Sequence, residues 1–242
     1  MQKLLLFQLV APLGSFGGVA VGERRETGVR PSHSALAGLL GAALGLERAD
    51  PRQADFAAGL AFASRRDRLG PLIADYHTAQ TPPARKGKTW ATRRDELAGE
   101  RNTILSRRDY RADCAFTIAC GALEQSLFPL DTLAEALQKP AFTLYLGRKS
   151  CPLGLPPDPL LVEVEALEDA FVDYDRRRKR PEDYAHYFER GGEIAFDDYF
   201  TGLARGSAAR VEMRRDVVLD RELWSFDLRD EHVVTAIGDA AP

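Results

Sequence analysis

The chain opens on an apolar run, Leu4-Leu5-Leu6-Phe7-Gln8-Leu9-Val10, interrupted only by Gln8. A short unbroken run of this kind predicts a buried strand over residues 3–10. A Gly-rich loop follows, Pro12-Leu13-Gly14-Ser15-Phe16-Gly17-Gly18, and continues to about Pro31. Ser32 or Ser34 then caps a helix over Ala35–Leu46. That helix contains Gly38 and Gly41, each costing about 1 kcal/mol against Ala, which suits a helix lying close to a sheet. Gly45 is placed to end it.

The pattern next predicts a short helix at Arg52–Gly59 and strands at 60–67 and 71–78. Pro82-Pro83 stops it. Residues 80–108 are polar and basic, with Trp90 among few apolar positions, and read as a long insertion outside the core. Strand alternation returns at Asp109–Gly121: Ala112, Cys114, Phe116, Ile118 and Cys120 share one side. A helix is expected at Leu130–Gln138, ended by Pro140, and then an aromatic strand, Ala141-Phe142-Thr143-Leu144-Tyr145-Leu146, turning at Gly147. This order is a βαββαβ unit. In the tail, 160–175 mixes strand and helix signals, and strands fit 212–219, 224–228 and 233–237.

Charge changes the picture. The net is −3 over 242 residues, which argues against a generally nucleic-acid-binding surface. Residues 1–154, however, carry 21 Lys+Arg against 15 Asp+Glu, a net of +6, and residues 155–242 carry 12 against 21, a net of −9. The excess sits in residues 65–111, with 12 basic and 6 acidic side chains. Such asymmetry suits a polyanion partner for the first part. Cys114, Cys120 and Cys151 fit no zinc spacing and read as reduced thiols, the first two in the core, which suits the cytoplasm. The first eleven residues lack a convincing signal-peptide cleavage site, and no stretch approaches the ~20 apolar residues of a membrane span.

Three basic elements stand out. Gly147-Arg148-Lys149-Ser150 fails the phosphate-loop pattern, because Arg148 stands where a glycine is required. It leaves two cations and a hydroxyl on a turn, either solvated or holding phosphates. Gly22 to Ser32 is a basic loop before a helix N-terminus, where backbone N–H groups favour an anion. Ala84 to Arg94 flanks Trp90 with cations; the indole either stacks on a base or packs against a protein partner. Asp75-Tyr76-His77-Thr78 raises acid–base chemistry, against a structural role for the histidine. The sequence shows no Asp/Glu/His metal cluster and no Gly-x-Ser-x-Gly, and no cofactor is expected.

Five segments in order, LLLFQLVAPLGSFG, TGVRPSHSALAGLLGAALGL, DYHTA, RRDYRADCAFTIA and LQKPAFTLYLGRKSCPLGLP, resemble the Cas-five-type subunit family of the type I-E CRISPR surveillance complex, Cascade. The match covers most of residues 1–155; the C-terminal third resembles the family only loosely. The resemblance implies an α+β fold: a modified ferredoxin-like (RRM-like, RAMP-type) domain over 1–155, a protruding thumb at about 79–108, and a smaller β-rich, partly helical extension over 156–242. It implies a non-catalytic subunit that caps the 5′ handle of the CRISPR RNA, touches the backbone and large subunits, and meets target DNA indirectly, with no membrane and no metal.

On that fold the three basic elements are expected to converge on single-stranded RNA. Arg148 and Lys149 would clamp the backbone and Ser150 donate to it, beside Tyr145 and Gly147. The early loop would supply Arg24, Arg25, Thr27, Arg30, Ser32 and His33. The thumb and its root would supply Tyr76, His77, Arg85, Lys86, Lys88, Trp90, Arg107 and Arg108. The alternative is a metal-independent endoribonuclease using Tyr76, His77 and a thumb lysine. Phe16-Gly17 departs from a Trp-Gly expected at that place, so a different stacking surface is expected. The basic run 176–180 has no counterpart and is expected to touch DNA or the large subunit.

Overall fold

The opening apolar run is a strand, β1, spanning Gln2–Gly14. The computed structural model describes residues 1–18, 20, 22–82, 87, 89–178, 182–188, 192–205, 210–220, 223 and 225–235. Residues Leu4 through Ala11 of β1 are buried on both faces of one sheet. Leu5, Phe7 and Leu9 enter one core and Leu4 and Leu6 another. That two-sided burial explains why the run does not alternate.

Beyond β1 the chain forms a two-residue strand β2 (Arg24–Arg25), helices α1 (His33–Leu44) and α2 (Gln53–Ala58), and strands β3 (Leu60–Arg68) and β4 (Leu72–Thr81). A short α3 (Arg93–Glu96) precedes a 21-residue β5 (Asn102–Ala122). Then come α4 (Leu130–Gln138), β6 (Leu160–Val164), α5 (Leu167–Arg177), β7 (Glu193–Phe196), β8 (Arg210–Asp220) and β9 (Ser225–Thr235). Ser32 caps α1, its hydroxyl accepting from the Ala35 N–H, and Gly45 ends it in the left-handed region at φ 84°.

The described strands form one sheet in the order β6-β1-β5-β3-β7-β9-β8, with β2 and β4 also on β5. Every pairing along that path is antiparallel. Helices α1, α2 and α4 cover one face, with Phe56 and Leu133 in one core with Phe7 and Phe116 of the sheet. Helix α5 covers the other, its Phe171 and Tyr174 in one core with Phe200 and with Leu4 and Leu6 of β1. Arg65 of β3 ties that second layer down, pairing with Asp67 and Asp175. All three cysteines are buried and free, and burial pushes the Cys114 thiol up to about 12.

The sheet corrects one expectation. Residues 141–146 are not a strand; they contribute a single bridge, Tyr145 to Pro152. Their backbone groups go elsewhere. The N–H groups of Ala141 and Phe142 donate to Ala43 and Ala42 at the end of α1, and Leu146 closes a turn on Cys151. The strand that lies beside β1 comes later, at Leu160–Val164, so the sheet runs on past residue 155. Near the C-terminus, Ser225–Thr235 is one strand where two were expected, and β7, which the pattern did not reveal, joins β3 to β9. Residues 236–237 lie outside the described residues.

Strand β5 explains the insertion. Its second half, from Ala115, pairs with β3, and its first half pairs with β4 from Leu72↔Arg111 to Thr81↔Asn102. Between them the strand bends at Asp113, a non-glycine residue at φ 51°, a region where Asp is enriched. β4 is exposed along nearly all its length. The expected insertion is therefore in part a two-stranded arm, and it begins at residue 72 rather than 79.

A candidate nucleic-acid interface at the root of the arm

The arm leaves the sheet where three stretches distant in sequence meet: the loop after β1, the root of β5 at 107–110, and the turn 145–151. Strand β2 lies parallel to β5 with Arg24 opposite Arg107 and Arg25 opposite Arg108. Arg24 donates to Asp109 Oδ2 at 3.0 and 2.8 Å. Arg148, from the turn, donates to the carbonyl of Asp109 at 3.0 Å and that of Arg25 at 2.9 Å. Its guanidinium lies 4.7 Å above the centre of the Tyr110 ring. One arginine thus joins all three stretches, with a cation–π contact beneath it.

The turn also docks on the loop. Ser15 N–H donates to Leu146 O at 3.0 Å. Gly147 sits at φ 92°, and a Cβ there would lie 1.7 Å from the Ser15 carbonyl oxygen. Only glycine fits that approach. Thr27 closes the loop, its hydroxyl accepting from the Phe16 N–H at 2.8 Å.

The expected site residues separate into three groups. Arg25, Arg107, Lys149 and Ser150 are exposed around this node, and Arg24 is half-exposed beside Asp109. Arg107 and Lys149 make no side-chain hydrogen bond or ion pair among the described residues. Arg108 makes a long contact, 3.4 Å, to Ser106. Tyr76, opposite Arg107 on β4, is 65% exposed, and Tyr145 and Trp90 are exposed as well. Residues paired across strands share a face, so Tyr76 and Arg107 lie together.

The second group faces inward. Arg30 is 2% exposed; it pairs with Glu212 and, at 2.7 Å, with Glu231. His33 is buried, its Nε2 3.0 Å from Leu60 O and its backbone N–H donating to Asp216. Ser32 is spent on the helix cap. Phe16 is buried edge-on against Phe116 at 5.2 Å, so it packs the core and offers no stacking surface. His77 does not face inward: it is half-exposed on the arm and paired with Asp75. In the basic run, Arg177 stays exposed and pairs with Asp173, while the Arg178 side chain is buried on Asp158 and Gln8. The third group, Arg85, Lys86 and Lys88, together with Lys179 and Arg180, lies outside the described residues.

Sequence reasoning missed Asp109 and Tyr110, the two residues that organise the node. The available signal was one carboxylate and one ring inside the basic stretch Arg107-Arg108-Asp109-Tyr110-Arg111. Among the described residues no His/Cys/Asp/Glu group is arranged to hold a metal ion, and no helix is long and apolar enough to cross a membrane.

The family model for CRISPR-associated protein (Cas_Cas5) matches residues 4–229, and the chain belongs to that family. Among curated proteins it is similar to the CRISPR system Cascade subunit CasD of Escherichia coli (strain K12), 33% identical over 159 residues, or 64% of this chain and 70% of the relative. Among solved structures it is similar to a chain of a CRISPR RNA-guided surveillance complex, with TM-score 0.61, 27% identity and coverage of 96% of this chain and 90% of the other. A second, titled crystal structure of Cas protein, gives TM-score 0.61 and 26% identity over 99% and 97%.

Proposed function

We propose that this chain is a non-catalytic subunit of a CRISPR surveillance complex and holds the 5′ handle of the CRISPR RNA at the root of its arm. The order β6-β1-β5-β3, with α1 between β1 and β3 and α4 between β5 and β6, supports a ferredoxin-like, RAMP-type unit built from residues 1–155 together with β6. The arm is the thumb that reaches a neighbouring backbone subunit, and the acidic C-terminal third faces protein partners or solvent. The observation that carries the reading is the convergence on Asp109 and Tyr110. Folding brings three distant basic stretches to one node and leaves Arg25, Arg107 and Lys149 exposed; Tyr76 shares the face of Arg107, and Tyr145 belongs to the turn that carries Lys149. Cations along a strand with rings for its bases are what single-stranded RNA requires. Arg148 acts inside this site by bracing it, because both of its terminal nitrogens already serve backbone carbonyls.

The test is RNA retention by the co-expressed complex carrying Arg107→Ala and Lys149→Ala. Each loss is expected to weaken handle binding and flatten the dependence of log affinity on log salt by about 0.7. Unchanged retention and slope would remove the assignment. The endoribonuclease reading is less well supported: Tyr76 and His77 are adjacent on β4, so their side chains leave opposite faces. Incubating the full chain with repeat RNA in EDTA is expected to give no cleavage product.

A further inference from the structure

A cleft of about 860 Å³ lies beside the arm root, between α1 and residues 142–149. Its volume falls within the range of small-ligand sites, roughly 300–1,000 Å³. The floor is a small-residue face of α1, Ala35, Gly38 and Ala42, and the opposite wall is the stretch Phe142 to Tyr145. That wall is fixed in place, because the Ala141 and Phe142 N–H groups are bonded to the last turn of α1 at 2.9 and 3.2 Å. Leu144 anchors it in the core. Phe142 and Tyr145 are nevertheless 45% and 36% exposed. Two rings held at the surface by a bonded backbone, with no aromatic partner of their own among the described residues, have unspent stacking faces.

The two ends of the cleft differ. At one end stand Gly147 and Lys149, the latter a cation with no ion pair among the described residues. At the other stand Glu47, Arg48 and Gln53, the last 8% exposed. Its amide nitrogen donates to Glu47 O at 3.1 Å, and its amide oxygen accepts no hydrogen bond among the described residues. Lys149, the flat apolar slot and the Gln53 oxygen offer partners for phosphate, base and base edge, with Glu47 and Arg48 lining the cleft beside Gln53.

Resting on the function proposed above, we propose that this cleft seats one unpaired nucleotide of the bound RNA, its phosphate on Lys149 and its base against Phe142 and Tyr145. A base bearing an exocyclic amino group is preferred, because Gln53 offers an acceptor to its edge. Adenine, cytosine and guanine carry such an amino donor and uracil does not.

The experiment uses the full chain and the repeat-derived 5′ segment of the CRISPR RNA, with 2-aminopurine placed at each position in turn. Stacking is expected to quench one position. Phe142→Ala with Tyr145→Ala should abolish that quenching and weaken binding about 5- to 100-fold. Ala35→Leu, which fills the floor and leaves both rings in place, should abolish it too. Both variants should keep the wild-type melting temperature. RNA that binds with no position quenched, or with quenching kept in both variants, overturns the cleft and leaves the function standing. RNA that does not bind at all overturns the function; adenosine monophosphate then decides the cleft. Saturable binding lost in both variants assigns it to a free nucleotide, and no binding overturns it.

Discussion

Two arginine-rich regions of this molecule meet opposite fates. Against the β8–β9 hairpin, Arg229 is enclosed by Asp197 at 2.6 Å, Asp216 at 2.7 Å and Glu231 at 2.8 Å. Arg30 crosses from the early loop to the same layer, and Arg214 reaches Glu231 at 3.3 Å. At the arm root one buried carboxylate, Asp109, takes Arg24, while Arg25, Arg107 and Lys149 stay exposed. The same residue types are neutralised within the fold in one place and left for an external anion in the other. Cation number therefore says little about where RNA binds; the supply of carboxylates around the cations decides it.

The sharpest way to break this contrast is Arg229→Met. Removing one member of a buried ionic cluster leaves the others unpaired, and a loss of about 3–5 kcal/mol is expected in thermal or urea unfolding. Handle affinity per folded molecule should not change. An equal loss of affinity and stability would show that the two regions are not separate.

Next in size is Gly147→Ala. The added Cβ meets the Ser15 carbonyl, and the left-handed backbone disfavours alanine, so a loss of roughly 1–3 kcal/mol is expected. Here stability and RNA retention should fall together, because the turn carries both the brace and Lys149. Hydrogen exchange at Ser15 and Leu146 would report the loosened contact.

Acid should act on the hairpin first and with the smallest effect. Burial alone would raise Asp216, but hydrogen bonds and charge from Arg229 outweigh it and hold the carboxyl below its ordinary value. For Glu212, burial is likewise outweighed, by Arg210 and Arg30. With folded values below unfolded ones, the unfolded chain takes up these protons first. Their contribution is complete above about pH 4–5 and is lost as pH falls further. Asp197 opposes them: burial holds its carboxyl above the ordinary value, so for that group acid favours the folded state. Melting temperature followed from pH 7 to pH 3 should decline below about pH 4.5, and less steeply in Arg229→Met.

Much of the fold was legible in the chain. The buried run of β1, the Ser32 cap and Gly45 stop of α1, and α4 are local patterns, and the structure carries them nearly unchanged. The stretch 141–146 misled because its apolar, aromatic composition suits a strand, yet Pro140 and the docking of its N–H groups on α1 give its backbone other partners. β7 was invisible because four residues carry too little periodicity to register.

At the site, the glycine-centred turn and the early basic loop were each visible as cationic segments; the third expected segment, 84–94, lies partly outside the described residues, and residues 107–110 stand at the node instead. The roles within them were not. Arg30 and Arg25 stand five positions apart in one loop, yet one is buried on Glu231 and the other faces solvent. Arg148 and Lys149 are adjacent, yet the first braces and the second projects.

By itself the sequence determined where the apolar surface lies, where helices begin and end, and that positive charge collects in the first two-thirds of the chain. These depend on residues close together along the backbone. Which cations are cancelled was decided only in three dimensions, because the carboxylates that cancel Arg30 arrive from 182 and 201 residues away. Electrostatic attraction depends on distance in space, and only the packed sheet sets that distance.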